Sequence, residues 1–119
     1  MIIGIGNDLI EVDRVVKACE KEHFLKRCFT EQEQKLILAD TKKAADNFAV
    51  KEAVSKMFGT GFREIVPLEI ECLRDELGKP YVNLYGKAFE MGKVYGLKTI
   101  HVSISNTKQY ASAFVVGED

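Results

Sequence analysis

Three sets of residues in this sequence have types and spacings that could do chemistry. Asp8 closes the apolar stretch Ile2-Ile3-Gly4-Ile5-Gly6-Asn7. A carboxylate at the end of a strand commonly serves as a turn or cap residue. Glu52 and Lys56 stand four residues apart in a helical stretch and so share a face. Such pairs commonly do no more than stabilise the helix, by about 0.2–0.5 kcal/mol. His101, Ser103 and Ser105 alternate along a strand and share one of its faces. A serine beside a histidine invites nucleophilic catalysis, but no nucleophile elbow surrounds this pair, and polar lining of a sheet face accounts for it. His23 reads as an ordinary helix-end histidine. Gly4-Ile5-Gly6 opens like a dinucleotide-binding loop, yet Leu9 stands where its last glycine belongs, and no GxxxxGK[ST] loop is present.

The elements that must position these residues follow from periodicity. Residues 2–8 read as a strand in which Gly4 and Gly6 allow close backbone approach. A helix from Glu11 places Val12, Val16 and Cys19 on one face, with Arg14, Lys17 and Lys21 as a separate basic stripe. A second helix starts at Thr30, where Thr30-Glu31-Gln32-Glu33 forms a capping box, and runs through Leu36, Ile37 and Leu38. The longest helix runs from Thr41 to Phe58, with Gly59 at its C-terminal end. Then come a half-buried strand over 68–73, a turn over 75–80, a strand over 81–85, a short helix over 86–95 and a final hairpin of 99–105 and 110–116. The order β-α-α-α-β-β-α-β-β predicts an α+β fold with a mostly antiparallel sheet.

Composition bounds the function. The chain has 119 residues, and with two prolines, no flexible linker and no repeat it reads as one domain over 1–119. Its 17 basic and 18 acidic residues nearly cancel, which argues against bulk binding to nucleic acid. The apolar runs are too short to cross a bilayer, and the start lacks the basic leader of a signal peptide. Cys19, Cys28 and Cys72 form no CxxC pair, so reduced, structural cysteines and a cytoplasmic setting are expected.

Taken together the motifs resemble one family. Gly4-Ile5-Gly6-Asn7-Asp8-Leu9-Ile10-Glu11 is similar to the GIGxDxxE signature of holo-acyl-carrier-protein synthases, and Arg14 falls where that family has arginine. Phe29-Thr30-Glu31-Gln32-Glu33 resembles its T-x-x-E segment, and residues 48–61, FAVKEAVSKMFGTG, resemble its FAxKEAxxKxxGxG motif. Gly78-Lys79-Pro80, His101-Val102-Ser103-Ile104-Ser105 and Tyr110-Ala111-Ser112-Ala113 match its later segments in order, so the likeness spans essentially the whole chain.

The resemblance implies a 4′-phosphopantetheinyl transferase fold and transfer of phosphopantetheine from coenzyme A to a serine of an acyl carrier protein, in support of fatty acid biosynthesis. It implies Asp8 and Glu52 as ligands of Mg²⁺. Glu52, or a water that it holds, is implied as the base, and Lys56 as the group that stabilises or protonates the departing 3′,5′-ADP. Ser55, Lys56, Gly59, Pro80, Asn106 and Thr107 are the implied coenzyme A contacts. Arg14, Lys17 and Lys21 become the docking face for an acidic carrier, whereas on pattern alone they are a solvated helix face. A homotrimer with sites between subunits is also implied. Two positions depart from the family: Asn106 stands where it usually has histidine, and Asn47 where it often has arginine. Both are implied contacts to coenzyme A phosphates, so a looser hold on the 3′-phosphate is expected. The alternatives are a phosphohydrolase that uses the same metal pair, and a coenzyme A or carrier-protein binding module with reduced or lost turnover, which Asn47 and Asn106 favour.

Overall fold

The structure is a computed structural model that describes residues 1–119. Strand β1 (Ile2–Glu11) leads into helices α1 (Val12–Ala18), α2 (Glu22–Cys28), α3 (Glu31–Ala39) and α4 (Lys43–Phe58). Strands β2 (Ile70–Arg74) and β3 (Pro80–Leu84), helix α5 (Gly86–Val94) and strands β4 (Thr99–Asn106) and β5 (Tyr110–Glu118) follow. The fold is α+β. One antiparallel sheet has the order β1-β5-β4, and β2 and β3 form a separate antiparallel pair. No helix is long and apolar enough to cross a membrane.

Four helices, not three, precede β2. The segment after Glu11 breaks at residues 19–21, where no glycine or proline marks the turn, and resumes as α2. Val15, not Val16, joins Val12 as the fully buried pair of α1, while Val16 and Cys19 pack at the edge. The half-buried strand expected over 68–73 is shorter and deeper. Leu68 lies in a 3-10 turn over 67–69, and Ile70, Glu71 and Cys72 are all buried. Strand β1 runs to Glu11, so Asp8 is a mid-strand residue paired with Ala113 rather than a cap.

Helix α4 is the spine. It supplies Ala44 and Ala45 to one apolar cluster, and Ala49, Val50, Ala53, Val54, Met57 and Phe58 to the other. Its alanines let β1 lie directly across it. A Cβ on Gly6 would overlap the carbonyl oxygen of Ala53, and one on Gly4 that of Met57, so only glycine permits this approach. At the far end Gly59 adopts φ 81°, the left-handed cap that stops the helix one turn past Lys56.

Charge is also built into the interior. The capping box forms, with Thr30 and Glu33 exchanging backbone-to-side-chain bonds. Glu33 does more than cap: it accepts from Lys51 Nζ at 2.7 Å, from Asn47 Nδ2 at 2.9 Å and from the backbone N–H of Cys72. The side chains of Lys51 and Glu33 are fully buried, and Lys51 also donates to the carbonyls of Pro67 and Ile70. A buried charge tolerates such a site only when paired and hydrogen-bonded. This network bolts α3, α4 and β2 together.

Candidate active site

From Ala44 to Phe58, only Phe48, Glu52 and Lys56 escape full burial. They lie at i, i+4 and i+8, one narrow strip along a helix that is otherwise sealed on all sides. The inner face of β1 brings Asp8 to that strip. Asp8 Oδ1 accepts from Lys56 Nζ at 2.9 Å, across 48 residues of sequence. The Asp8 side chain is 12% exposed and that of Lys56 52%. The i, i+4 account of Glu52 and Lys56 as mutual helix partners therefore fails: the lysine is spent on Asp8, and no ion pair joins it to Glu52.

Glu52 titrates above the ordinary carboxylate range. Burial is the main cause, the negative charge of Asp8 adds to it, and Lys56 opposes it. Asp8 Oδ2 is buried without any hydrogen-bond donor. An orphaned carboxylate oxygen beside a second, reluctantly ionised carboxylate is a site short of positive charge. The donor set fits Mg²⁺, a hard ion that typically takes one or two carboxylates and completes its shell with water and phosphate oxygens. No group of three or more His, Cys, Asp or Glu side chains converges as a softer metal would require.

The expected coenzyme A contacts divide. Lys56 reaches Asp8, and Gly59, exposed, caps α4 three residues further on. Asn106 lies at the end of β4 and donates to both oxygens of Asp46, at 3.0 and 3.1 Å. Thr107, exposed beside it, accepts from the N–H groups of Gln109 and Tyr110 and so shapes the β4–β5 turn. Pro80 opens β3 in the other sheet, opposite Arg74. Ser55 offers no surface to a ligand: it is buried, and its hydroxyl donates to the carbonyl of Glu52 at 2.6 Å. Asn47 requires the firmest correction. It is fully buried, donates to Glu33 and to the carbonyl of Cys72, and accepts from Arg74 at 2.8 Å, so it faces the interior network and not a phosphate. His101, Ser103 and Ser105 point from the outer face of the sheet, opposite to Asp8, and His101 pairs with Glu118.

Beside Glu52 lies a cavity of about 400 Å³ whose walls include Arg14, Val15, Phe24, Phe48 and Tyr110. Sequence reasoning missed this cavity. The one legible signal was Phe48, a full helical turn before Glu52 on the same strip.

Comparison with known proteins settles the family. The profile of the 4′-phosphopantetheinyl transferase superfamily matches residues 4–115. The chain belongs to that superfamily. A holo-[acyl-carrier-protein] synthase from Lachnoclostridium phytofermentans is 66% identical over 118 residues, 99% of this chain and 97% of that relative. The Neisseria meningitidis holo-[acyl-carrier-protein] synthase superposes with a TM-score of 0.86 at 31% identity and full coverage of both chains. The Helicobacter pylori synthase, solved in complex with coenzyme A, superposes with a TM-score of 0.83 at 29% identity, covering 96% of this chain and 99% of that one.

In this member of the 4′-phosphopantetheinyl transferase superfamily the three basic residues expected on one helix face are divided between elements. Arg14 and Lys17 are exposed on α1, whereas Lys21 is the residue that precedes α2. Arg14 also lines the cavity beside Glu52, together with Glu11, so one cation and two carboxylates interrupt an otherwise largely apolar wall.

Proposed function

We propose that this phosphopantetheinyl transferase moves 4′-phosphopantetheine from coenzyme A to a serine of an apo acyl carrier protein, releasing 3′,5′-ADP. The observation that carries the reading is the strip Phe48–Glu52–Lys56, the one accessible line on a buried helix, with Asp8 folded onto it. The serine oxygen forms a bond to the phosphorus that bears pantetheine, and the phosphoanhydride bond to the nucleotide phosphate breaks. The carrier supplies the nucleophile, which is why the chain needs no serine–histidine elbow.

Asp8 and Glu52 are the residues that would hold Mg²⁺. When bound, the ion offsets charge developing on the phosphoryl oxygens. Glu52, or a water that it holds, takes the serine proton, a role open to the one carboxylate on the accessible strip. Lys56 neutralises the departing nucleotide phosphate. Gly59 ends the helix and leaves the space beyond Lys56 free of side chain.

The carrier docks at the opening where Arg14 meets the apolar cavity, steered by Lys17 and Lys21. A homotrimer accompanies this reading. The outer face of the three-stranded sheet exposes Ile5, Leu9 and Phe114, an apolar surface that further copies would cover. Contact with Pro80, which stands apart in the other sheet, is then made from a neighbouring copy. The reading places the protein in the cytoplasm, where its three free cysteines stay reduced, and in the service of fatty acid synthesis.

Incubation with coenzyme A, Mg²⁺ and apo carrier, followed by mass spectrometry of the carrier, tests the activity. A phosphopantetheine gain supports transfer. Release of free phosphopantetheine would indicate hydrolysis, and absence of product a binding module.

A further inference from the structure

We propose that Lys56 is a stand-in cation. In the free enzyme its ammonium occupies the reachable oxygen of Asp8. It leaves that oxygen for the diphosphate of coenzyme A, so that the divalent cation and coenzyme A bind together and the cation alone binds poorly. The inference rests on Asp8 and Glu52 being the metal ligands.

The two oxygens of Asp8 are not equivalent. Oδ2 is buried and receives no donor, so almost none of the side chain's 12% exposure comes from it. Oδ1 is the oxygen that Lys56 holds at 2.9 Å. An ion arriving from solvent meets an oxygen already taken, in a site whose two negative charges are half cancelled by one ammonium. Mg²⁺ gives up its water reluctantly and binds through carboxylates mainly when phosphate oxygens contribute too. Two carboxylates with a lysine across one of them make a poor site for a bare ion.

Lys56 is able to move. Its side chain is 52% exposed, it makes no other hydrogen bond, and it stands one turn from the helix end at Gly59. Only the lysine end of the pair is open to solvent, so water and an incoming anion reach the ammonium without disturbing the carboxylate. A diphosphate entering at this end of α4 offers the ammonium more negative charge than one carboxylate does. The transfer clears Asp8 Oδ1 at the moment when phosphate oxygens become available. Binding of ion and binding of coenzyme A then favour one another, and by linkage the effect is reciprocal.

The test is to titrate Mn²⁺, a paramagnetic substitute for Mg²⁺, and to read free ion by electron paramagnetic resonance. Coenzyme A is present or absent and carrier is omitted, so nothing turns over. In the wild-type enzyme coenzyme A should tighten Mn²⁺ binding by a factor within the usual range for coupled sites, about 5- to 150-fold. In Lys56→Met the affinity for Mn²⁺ without coenzyme A should rise about three- to tenfold, as expected for loss of a competing ion pair, and the coupling should shrink. Lys56→Gln provides the same reading should the methionine variant fold poorly by circular dichroism. Equal or weaker Mn²⁺ binding in both lysine variants, or no coupling in wild type, overturns the proposal. If Asp8→Asn leaves the wild-type titration unchanged, the metal assignment itself falls, and this inference with it.

Discussion

Glu52 is a residue whose ionised form the fold disfavours. Burial and the charge of Asp8 raise its folded pKa above the ordinary value of 4.5. Between that value and the raised one, the folded chain keeps a proton that the unfolded chain has lost. Stability therefore falls as pH rises through this window, and at neutral pH the ionised carboxylate is held at a cost. Glu52→Gln should raise the Tm of the metal-free protein at pH 7, and this advantage should vanish below about pH 4, where both forms are protonated. The same variant should lose transfer by about 10²- to 10⁴-fold, the usual worth of a general base. Equal Tm values at both pH values would show that Glu52 is not strained. Asn47 gives the opposite case. Asn47→Ala leaves Glu33, Arg74 and the carbonyl of Cys72 each short of a partner. It should lower stability by about 1–3 kcal/mol in denaturant unfolding. The ratio of kcat/KM for coenzyme A to that for dephospho-coenzyme A should not move. A changed ratio would return Asn47 to the phosphate pocket.

At the scale of elements, the site depends on how closely β1 crosses α4. Asp8 lies two residues beyond Gly6, whose missing Cβ lets the strand touch the carbonyl of Ala53. Gly6→Ala must push the strand off the helix. Overpacking of this kind costs about 1–3 kcal/mol. Its effect on turnover should be larger than its effect on folding, because a displacement of about 1 Å at a reacting group can cost about 10²-fold. Gly59→Ala is the contrasting substitution: a Cβ there meets open space, and only the left-handed φ is strained, at about 1–2 kcal/mol. Kinetics of the two variants at a temperature where both are folded separates them. Equal kcat would mean that the β1–α4 contact does not set the position of Asp8.

Across the whole molecule, the proposed function calls for two surfaces that meet other chains. One is the opening beside Glu52, where Arg14 borders the cavity and Lys17 and Lys21 lie nearby on adjacent elements. Lys17→Glu combined with Lys21→Glu should raise KM for the carrier several-fold and leave KM for coenzyme A alone. Wild-type KM for the carrier should itself rise with salt, since exposed charges are screened over about 8 Å at physiological ionic strength. An unchanged carrier KM in the double variant would place docking elsewhere. The other surface is the outer face of the β1-β5-β4 sheet. If the proposed trimer forms through this face, Ile5→Arg, at a position 59% exposed in one chain, should lower the mass measured by light scattering from three chains to one and reduce activity with it. A trimer that survives this substitution would be built on another face.

Local signals in the sequence determined the elements whose causes are local. The capping box at Thr30 and Glu33, the glycine that stops α4 and the hairpin of β4 and β5 formed as their residues required, because each depends on partners within a few positions. The accessible strip was legible in part, since Glu52 and Lys56 share a face wherever the helix is placed. What the helix meets was not legible. Lys56 has an acidic neighbour four residues away, yet it bonds to Asp8, which is 48 residues distant. Glu33 reads as a cap and proves also to be the buried acceptor for Lys51 and Asn47. Asn47 carries no local mark that sets it inside and Asn106 outside. These outcomes depend on which surfaces are brought together when β1 crosses α4 and β2 closes over α3. That packing is decided by the total apolar area buried and by the need of every buried charge for a partner, quantities that belong to the folded chain as a whole.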